Sequence, residues 1–193
     1  NQFLGDMFEG FLDQGVKQSE GQYFTPMPIC RFIFMSLPLE SMLGEGAVPI
    51  KAIDYACGAG HFLNELATQT RPLIAQQWQG DQTAHFKAQH SAIYGIEKEY
   101  RLSKVAKVSA FMYGQQDINI CYGDGLVQQH AAFPDIKNDS FDLLVANPPY
   151  SVRGFLETLP EEERSAYALL KTVDKLESSN TIEAFFIERA QQL

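Results

Sequence analysis

Apolar positions recur along the chain in two rhythms. In the opening NQFLGDMFEGFLDQGV, Phe3, Leu4, Met7, Phe8, Phe11 and Leu12 fall at helical spacing and predict one amphipathic face. GQYFTP follows as a loop, in which Thr25 is placed to cap a helix whose first residue is Pro26, with Ile29, Phe32, Ile33 and Leu37 beneath. Past residue 45 the rhythm changes. The apolar runs 50–55, 92–96, 118–122 and 141–146 are short and continuous, as expected of strands buried on both faces of a parallel sheet. Helical patterns at 61–70 and 99–113 alternate with them, and Gly114 stands where the second helix needs its C′ residue. The predicted fold is α/β, a doubly wound, Rossmann-like sheet preceded by a helical segment. Segment 69–90, rich in Gln, His and Thr and without a period, is expected as a surface insertion. Asn180-Thr-Ile-Glu183 reads as a capping box opening a last helix with Ile182, Phe185 and Phe186 on one face.

Composition narrows this picture only a little. At 193 residues, 45% hydrophobic and 20% charged, the chain is long enough for one well-packed domain of ordinary globular composition. No apolar run approaches the roughly 20 residues of a membrane span, and no basic stretch followed by an apolar one marks export. Cys30, Cys57 and Cys121 are far apart and include no CxxC pair, so neither a metal site nor a disulfide framework is expected and a reducing cytoplasm is the natural setting. The chain opens on Asn and closes inside a helical pattern, ERAQQL, as a trimmed piece of a longer protein would.

Charge matters more. The net charge is 15 − 24 = −9, with no basic stripe of the kind that supplies most DNA affinity. A nucleic-acid substrate would draw its phosphate contacts largely from another subunit or from sequence beyond this chain.

Candidate chemistry gathers at the ends of the predicted strands, where such sheets bind ligands. The first ends in DYACGAGHF. Gly58 and Gly60 permit a tight turn and close approach of the backbone to a ligand, with a helix N-terminus behind them. A dinucleotide fingerprint would place a third glycine at Leu63 and an acid about 20 positions on, whereas the acid ending the next strand, Glu97, is 97 − 60 = 37 positions after Gly60. Asp54, a carboxylate in an apolar strand, suits a ligand bearing an amino group. The same glycines also fit a plain packing turn. Glu97 is placed to accept ribose hydroxyls, or is a solvated strand-end charge. Asp124, between Gly123 and Gly125, is a turn residue or an acceptor for an exocyclic amine.

The fourth run ends FDLLVANPPY. Pro148 and Pro149 carry no N–H, and Pro149 holds Pro148 extended, so the backbone offers carbonyls without competing donors. Asn147 adds a side-chain carbonyl and Tyr150 a ring face. Two oxygens and a stacking surface can hold an NH2 on a planar ring; a strand stop is the plainer alternative.

DYACGAGHF, GIEK, GDGL and NPPY, in that order and each at a strand end, resemble the S-adenosylmethionine-dependent amino-methyltransferases. GQYFTP ahead of them matches the cofactor motif of the gamma-ordered adenine-N6 DNA methyltransferases. The nearest resemblance, from Gly21 onward, is to the modification (M) subunit of type I restriction-modification systems. It implies a helical segment with the cofactor loop over 1–45 and a catalytic core over 46–193 that lacks the later strands and the target-recognition region. By position it implies that Tyr23, Phe24, Thr25 and Pro26 line the methionine end of S-adenosylmethionine. Asp54 with Cys57, Gly58 and Gly60 would hold its amino-acid portion, Glu97 its ribose, and Asp124 with Gly125 its adenine. Asn147, which also borders the cofactor, would hold a flipped DNA adenine with Pro148, Pro149 and Tyr150. A specificity subunit is the implied partner, and a restriction subunit a further one. His61-Phe62 departs from the small or aliphatic residues common after the second glycine. Methylation of an RNA guanine amine or a protein glutamine amide shares NPPY-type loops, but GQYFTP speaks against both. Leu63 disfavours an NAD-binding module, and intact Asn147–Tyr150 disfavours a non-catalytic assembly role.

Overall fold

Successive residues of the central strands enter two different hydrophobic cores. Ala52, Ile93 and Ile120 join one, Ile53, Tyr94 and Cys121 the other, with Leu143 and Leu144 packed against them in the same alternation. This two-sided burial is why the sequence runs are continuously apolar. The computed structural model describes residues 25–45, 48–78, 80–173, 175 and 181–193. The helix expected near the start of the chain, together with Tyr23 and Phe24, lies outside the described residues.

The strands β1 (Ala52–Asp54), β2 (Ile93–Glu97), β3 (Asn119–Tyr122) and β4 (Leu143–Leu144) form one parallel sheet in the order β3-β2-β1-β4. Each sits within one of the four expected runs, apart from Glu97, which extends the second by a residue. The pairings align Ala52 with Ile93, Tyr94 with Asn119, and Ala52 with Leu143. The chain builds outward from β1 through β2 to β3, then returns to β1's other side as β4. That reversal creates a switch point between the carboxyl ends of β1 and β4, where a crevice is expected.

Helices α1 (Met27–Met35), α3 (His61–Gln77), α4 (Thr83–Ser91) and α5 (Tyr100–Met112) serve the first core, with the short α2 (Leu39–Met42) contributing Leu39. A short α6 (Glu161–Ser165), flanked by 3-10 turns at Phe155–Thr158 and Ala168–Thr172, leads to α7 (Ile182–Gln192) on the second. The start and stop of α5 follow the sequence. The Glu99 carboxylate caps Leu102 N–H at 2.7 Å, and Gly114 takes φ +89° beyond the C-terminus.

Three expectations give way. Segment 69–90 is not an irregular insertion: α3 continues through Pro72, and α4 follows. Buried Thr70 and Ile74 hold the first, so the hydrogen bond lost at Pro72 is tolerated. The second is tied down by a polar residue instead of an apolar period. Gln89, fully buried, accepts from Ile50 N–H at 2.9 Å and donates to Ile50 O at 3.0 Å. Thr25 does not cap α1, which begins at Met27 after Pro26 and seats Cys30 and Phe34 at 0% exposure, while Ile29 and Phe32 face outward at 49% and 69%. The last helix forms as expected with Ile182, Phe185 and Phe186 buried, and its Glu183 accepts from Ser151 N–H at 3.0 Å, while Asn180 of the expected capping box lies outside the described residues.

Candidate active site

The carboxyl ends of β1 and β4 open onto one pocket lined by Thr25, Asp54, Cys57, Gly58, His61 and Asn147, together with Ala56, Ala59 and Phe62. Its floor comes from the turn after β1. Gly58 at φ +53° and Gly60 at φ +87° take left-handed conformations that a side chain would strain, which lets the chain reverse into α3. Cys57 N–H donates to Ile96 O at 2.9 Å and so extends β1's pairing into the turn.

Two buried acids support this floor. Asp54 is 1% exposed, and its Oδ1 accepts from Ala56 N–H at 3.0 Å. Burial pushes its carboxyl up to about 8, against the pull of that hydrogen bond and with some help from the nearby Glu97 charge. Glu97, at the end of β2, accepts from Gly58 N–H at 2.9 Å and from Glu99 N–H at 2.7 Å. Its carboxyl is also raised by burial, which those backbone N–H groups partly offset. Burial, reinforced by the charges of Asp54 and Glu97, pushes the Cys57 thiol well up, making it a packed apolar group and no nucleophile.

The rim is built by side chains meeting across the sequence. His61, the first residue of α3, donates from Nδ1 to the Thr25 carbonyl at 2.9 Å. Thr25 Oγ1 in turn accepts from Asn147 Nδ2 at 3.2 Å. With Nδ2 so placed, the Asn147 side-chain oxygen is its acceptor end. Asn147 is exposed, Pro148 and Pro149 are half-buried, and Tyr150 keeps 50% exposure.

Asp124 and Gly125 sit apart from the pocket lining. Asp124 Oδ1 accepts from Leu126 N–H at 3.0 Å, a turn of the kind its flanking glycines suggest, and Oδ2 pairs with Lys98 at 2.7 Å. Lys98 also donates to Thr158 Oγ1 at 2.8 Å. Gly125 passes so near the end of β1 that a Cβ would lie 2.1 Å from Tyr55 O. Thus Thr25, Asp54, Cys57, Gly58 and Asn147 share one pocket, with Glu97 beneath Gly58, Gly60 at the head of α3 and Pro26 exposed outside the lining. The sequence reading left open what His61 contacts; its departure from the usual residue type was the one available signal.

Comparison with known proteins bears on the family and the fold. A profile of the family described as N-6 DNA methylase matches residues 1–189. The type I restriction enzyme MjaVII methylase subunit of Methanocaldococcus jannaschii is 24% identical over 173 residues, covering 88% of this chain and 26% of that protein. Among solved structures, the type I restriction-modification system methyltransferase subunit of Streptococcus thermophilus aligns at TM-score 0.58 and 18% identity, over 98% of this chain and 36% of its own. A Listeria monocytogenes chain described as a class I S-adenosylmethionine-dependent methyltransferase aligns at TM-score 0.63 and 19% identity, over 96% and 48%. These likenesses to solved structures show the fold. The chain spans about a quarter of the length of the curated relatives it matches, 26% and 21%.

Proposed function

The chain belongs to the N-6 DNA methylase family, and from that premise we propose that it carries the methyl-transfer site of a restriction-modification enzyme acting on adenine in DNA. The reaction moves a methyl group from the sulfonium of S-adenosylmethionine to the N6 amine: the carbon–sulfur bond breaks to leave a neutral thioether, the carbon–nitrogen bond forms, and the amine then releases a proton to solvent. One observation carries the reading. A buried acid, a glycine turn and an asparagine followed by Pro-Pro-Tyr border a single pocket at the switch point of a parallel sheet.

The residues present suit the cofactor. Asp54 is buried, and no described residue forms an ion pair with it, so an ammonium group is the partner its charge calls for. The glycine turn gives a ligand close access to main chain. Glu97, already holding Gly58, lies next to it for a ribose, and Asp124 beyond for an adenine amine. When bound, S-adenosylmethionine supplies an electrophilic methyl on sulfonium. In this reading 1–45 is the segment that carries the cofactor loop, with Thr25 at the methionine end, and 46–193 is the catalytic core.

The chain's own part is to hold and sharpen the nucleophile. An adenine amine is weakly nucleophilic because its lone pair is delocalised into the ring. The Asn147 side-chain oxygen and the Pro148 carbonyl accept its two N–H bonds and favour a pyramidal nitrogen whose lone pair is available. Positioning then supplies much of the acceleration. The same two oxygens and the face of Tyr150 stabilise positive charge developing on nitrogen. The base has to leave the duplex to reach them, and stacking on Tyr150 offsets part of a cost of a few kcal/mol.

A net charge of −9 supports a division of labour in which phosphate contacts come from elsewhere in the assembly. A specificity subunit is the implied partner and a restriction subunit a further one. A cytoplasmic setting belongs to the same reading; no helix among the described residues is long and apolar enough to cross a membrane. The test is calorimetric titration of S-adenosylmethionine and of NAD into the protein, joined to a methylation assay on adenine-containing DNA. Saturable binding of the first ligand alone, with label appearing at adenine N6, is expected. Binding of NAD alone, or label on another amine, overturns the reading.

A further inference from the structure

We propose that Glu183, on the first turn of α7, is a positioning residue for the base-holding loop, a role that rests on the reading of Asn147–Tyr150 given above. Pro148 and Pro149 have no N–H, so across those two positions the loop cannot anchor itself through backbone donors. Its next fixed point is Ser151. That residue sits at φ +57°, a left-handed conformation that a non-glycine residue rarely adopts unless its surroundings hold it there. What faces it is a carboxylate: Glu183 Oε1 accepts from Ser151 N–H at 3.0 Å.

An acid in the first turn of a helix usually serves that helix's own N–H groups. Here one of its oxygens reaches a loop 32 residues earlier in the chain. The platform behind it is firm. Phe185 and Phe186 are 1% and 4% exposed, and Tyr55, which directly follows Asp54, donates its hydroxyl to Phe186 O at 3.0 Å. A continuous path therefore runs from the end of β1, through α7 and Glu183, to the residue that follows Tyr150. It sets the direction of the chain just after the stacking ring, at the opposite end of the loop from the Thr25–Asn147 contact. Ser151 N–H is also occupied, which keeps a donor from competing with the amine for the loop's carbonyls.

The experiment compares Glu183→Ala, Glu183→Gln and Asn147→Ala in the full-length protein, with kcat for adenine methylation, Kd for S-adenosylmethionine and Tm measured on each. Loss of a charge-assisted hydrogen bond should lower kcat about tenfold or more in Glu183→Ala, with cofactor Kd within about twofold of the parent. Gln keeps an acceptor oxygen and should restore most of the lost rate. An unchanged kcat in Glu183→Ala overturns the proposal, as does Gln being impaired as deeply as Ala. The Asn147→Ala arm separates the two levels. Full activity there removes the site reading itself; loss there with none at Glu183→Ala removes only this inference.

Discussion

The floor of the pocket and its rim fix their polar groups by different means. On the floor, Asp54 and Glu97 are buried and accept from the main-chain N–H of Ala56, Gly58 and Glu99, none more than 39 residues away. On the rim, Asn147 is exposed and reaches Thr25 across 122 residues, side chain to side chain. Main-chain donors come with the turns themselves, so the floor is preorganised once β1, its glycine turn and the neighbouring end of β2 are paired. Side-chain partners across the fold exist only once the tertiary structure is in place. The floor is therefore suited to holding, and the rim to adjusting around a base that arrives from outside.

Substitutions that split binding from transfer would break or sharpen this contrast. The largest effect is expected on the rim. Asn147→Ala removes an acceptor used while charge develops and should lower kcat by about 10²–10³-fold, with cofactor Kd shifted only a few-fold. Single-turnover methylation beside a binding titration checks both halves. On the floor, Asp54→Asn should do the reverse and weaken S-adenosylmethionine binding by about 10²-fold, the scale of a lost buried charge pair, while saturating cofactor recovers much of the rate.

That second variant also tests protonation. With its carboxyl at about 8 in the ligand-free fold and about 3.9 in an unfolded chain, Asp54 keeps a proton that the unfolded state has already released. Its contribution to stability is fully present below about pH 4 and is lost as pH rises through about 8. An ammonium ligand needs the carboxylate, so cofactor affinity should climb between pH 6.5 and 8, about tenfold per unit at the steepest. Calorimetry across that range should show the slope in the parent and none in Asp54→Asn.

A smaller effect belongs to the backbone that packs against the end of β1, outside the pocket lining. Gly125→Ala places a Cβ 2.1 Å from Tyr55 O and should cost about 1–3 kcal/mol of stability, read by denaturant unfolding. The smallest is at the ring. Tyr150→Phe keeps the stacking face and should leave transfer within about twofold, whereas Tyr150→Ala gives up stacking worth about 1–3 kcal/mol. A Phe variant as impaired as the Ala variant would shift the role from the ring to the hydroxyl.

The four strands were legible because burial on both faces leaves an uninterrupted apolar run, and α5 because Glu99 and Gly114 mark its ends. α4 was not, because its hold on the sheet is Gln89 bonded to the main chain of Ile50, and a polar residue in a polar segment carries no period. The outward face of α1 misled for a related reason. Ile29 and Phe32 read as core by type, yet Cys30 and Phe34 are the residues that fit against the first core.

Sequence alone therefore determined the parallel sheet, the glycine turn after Asp54 and the acceptor-rich end of the fourth strand, since each follows from local chemistry: apolar runs, absent Cβ atoms, absent N–H groups. Tertiary structure decided what those pieces face. It bonded Thr25 to both His61 and Asn147, brought Glu183 to Ser151, and gave Asp124 to Lys98. Such partners lie tens of residues apart, and no spacing along the chain encodes which side chains will meet when strand order reverses.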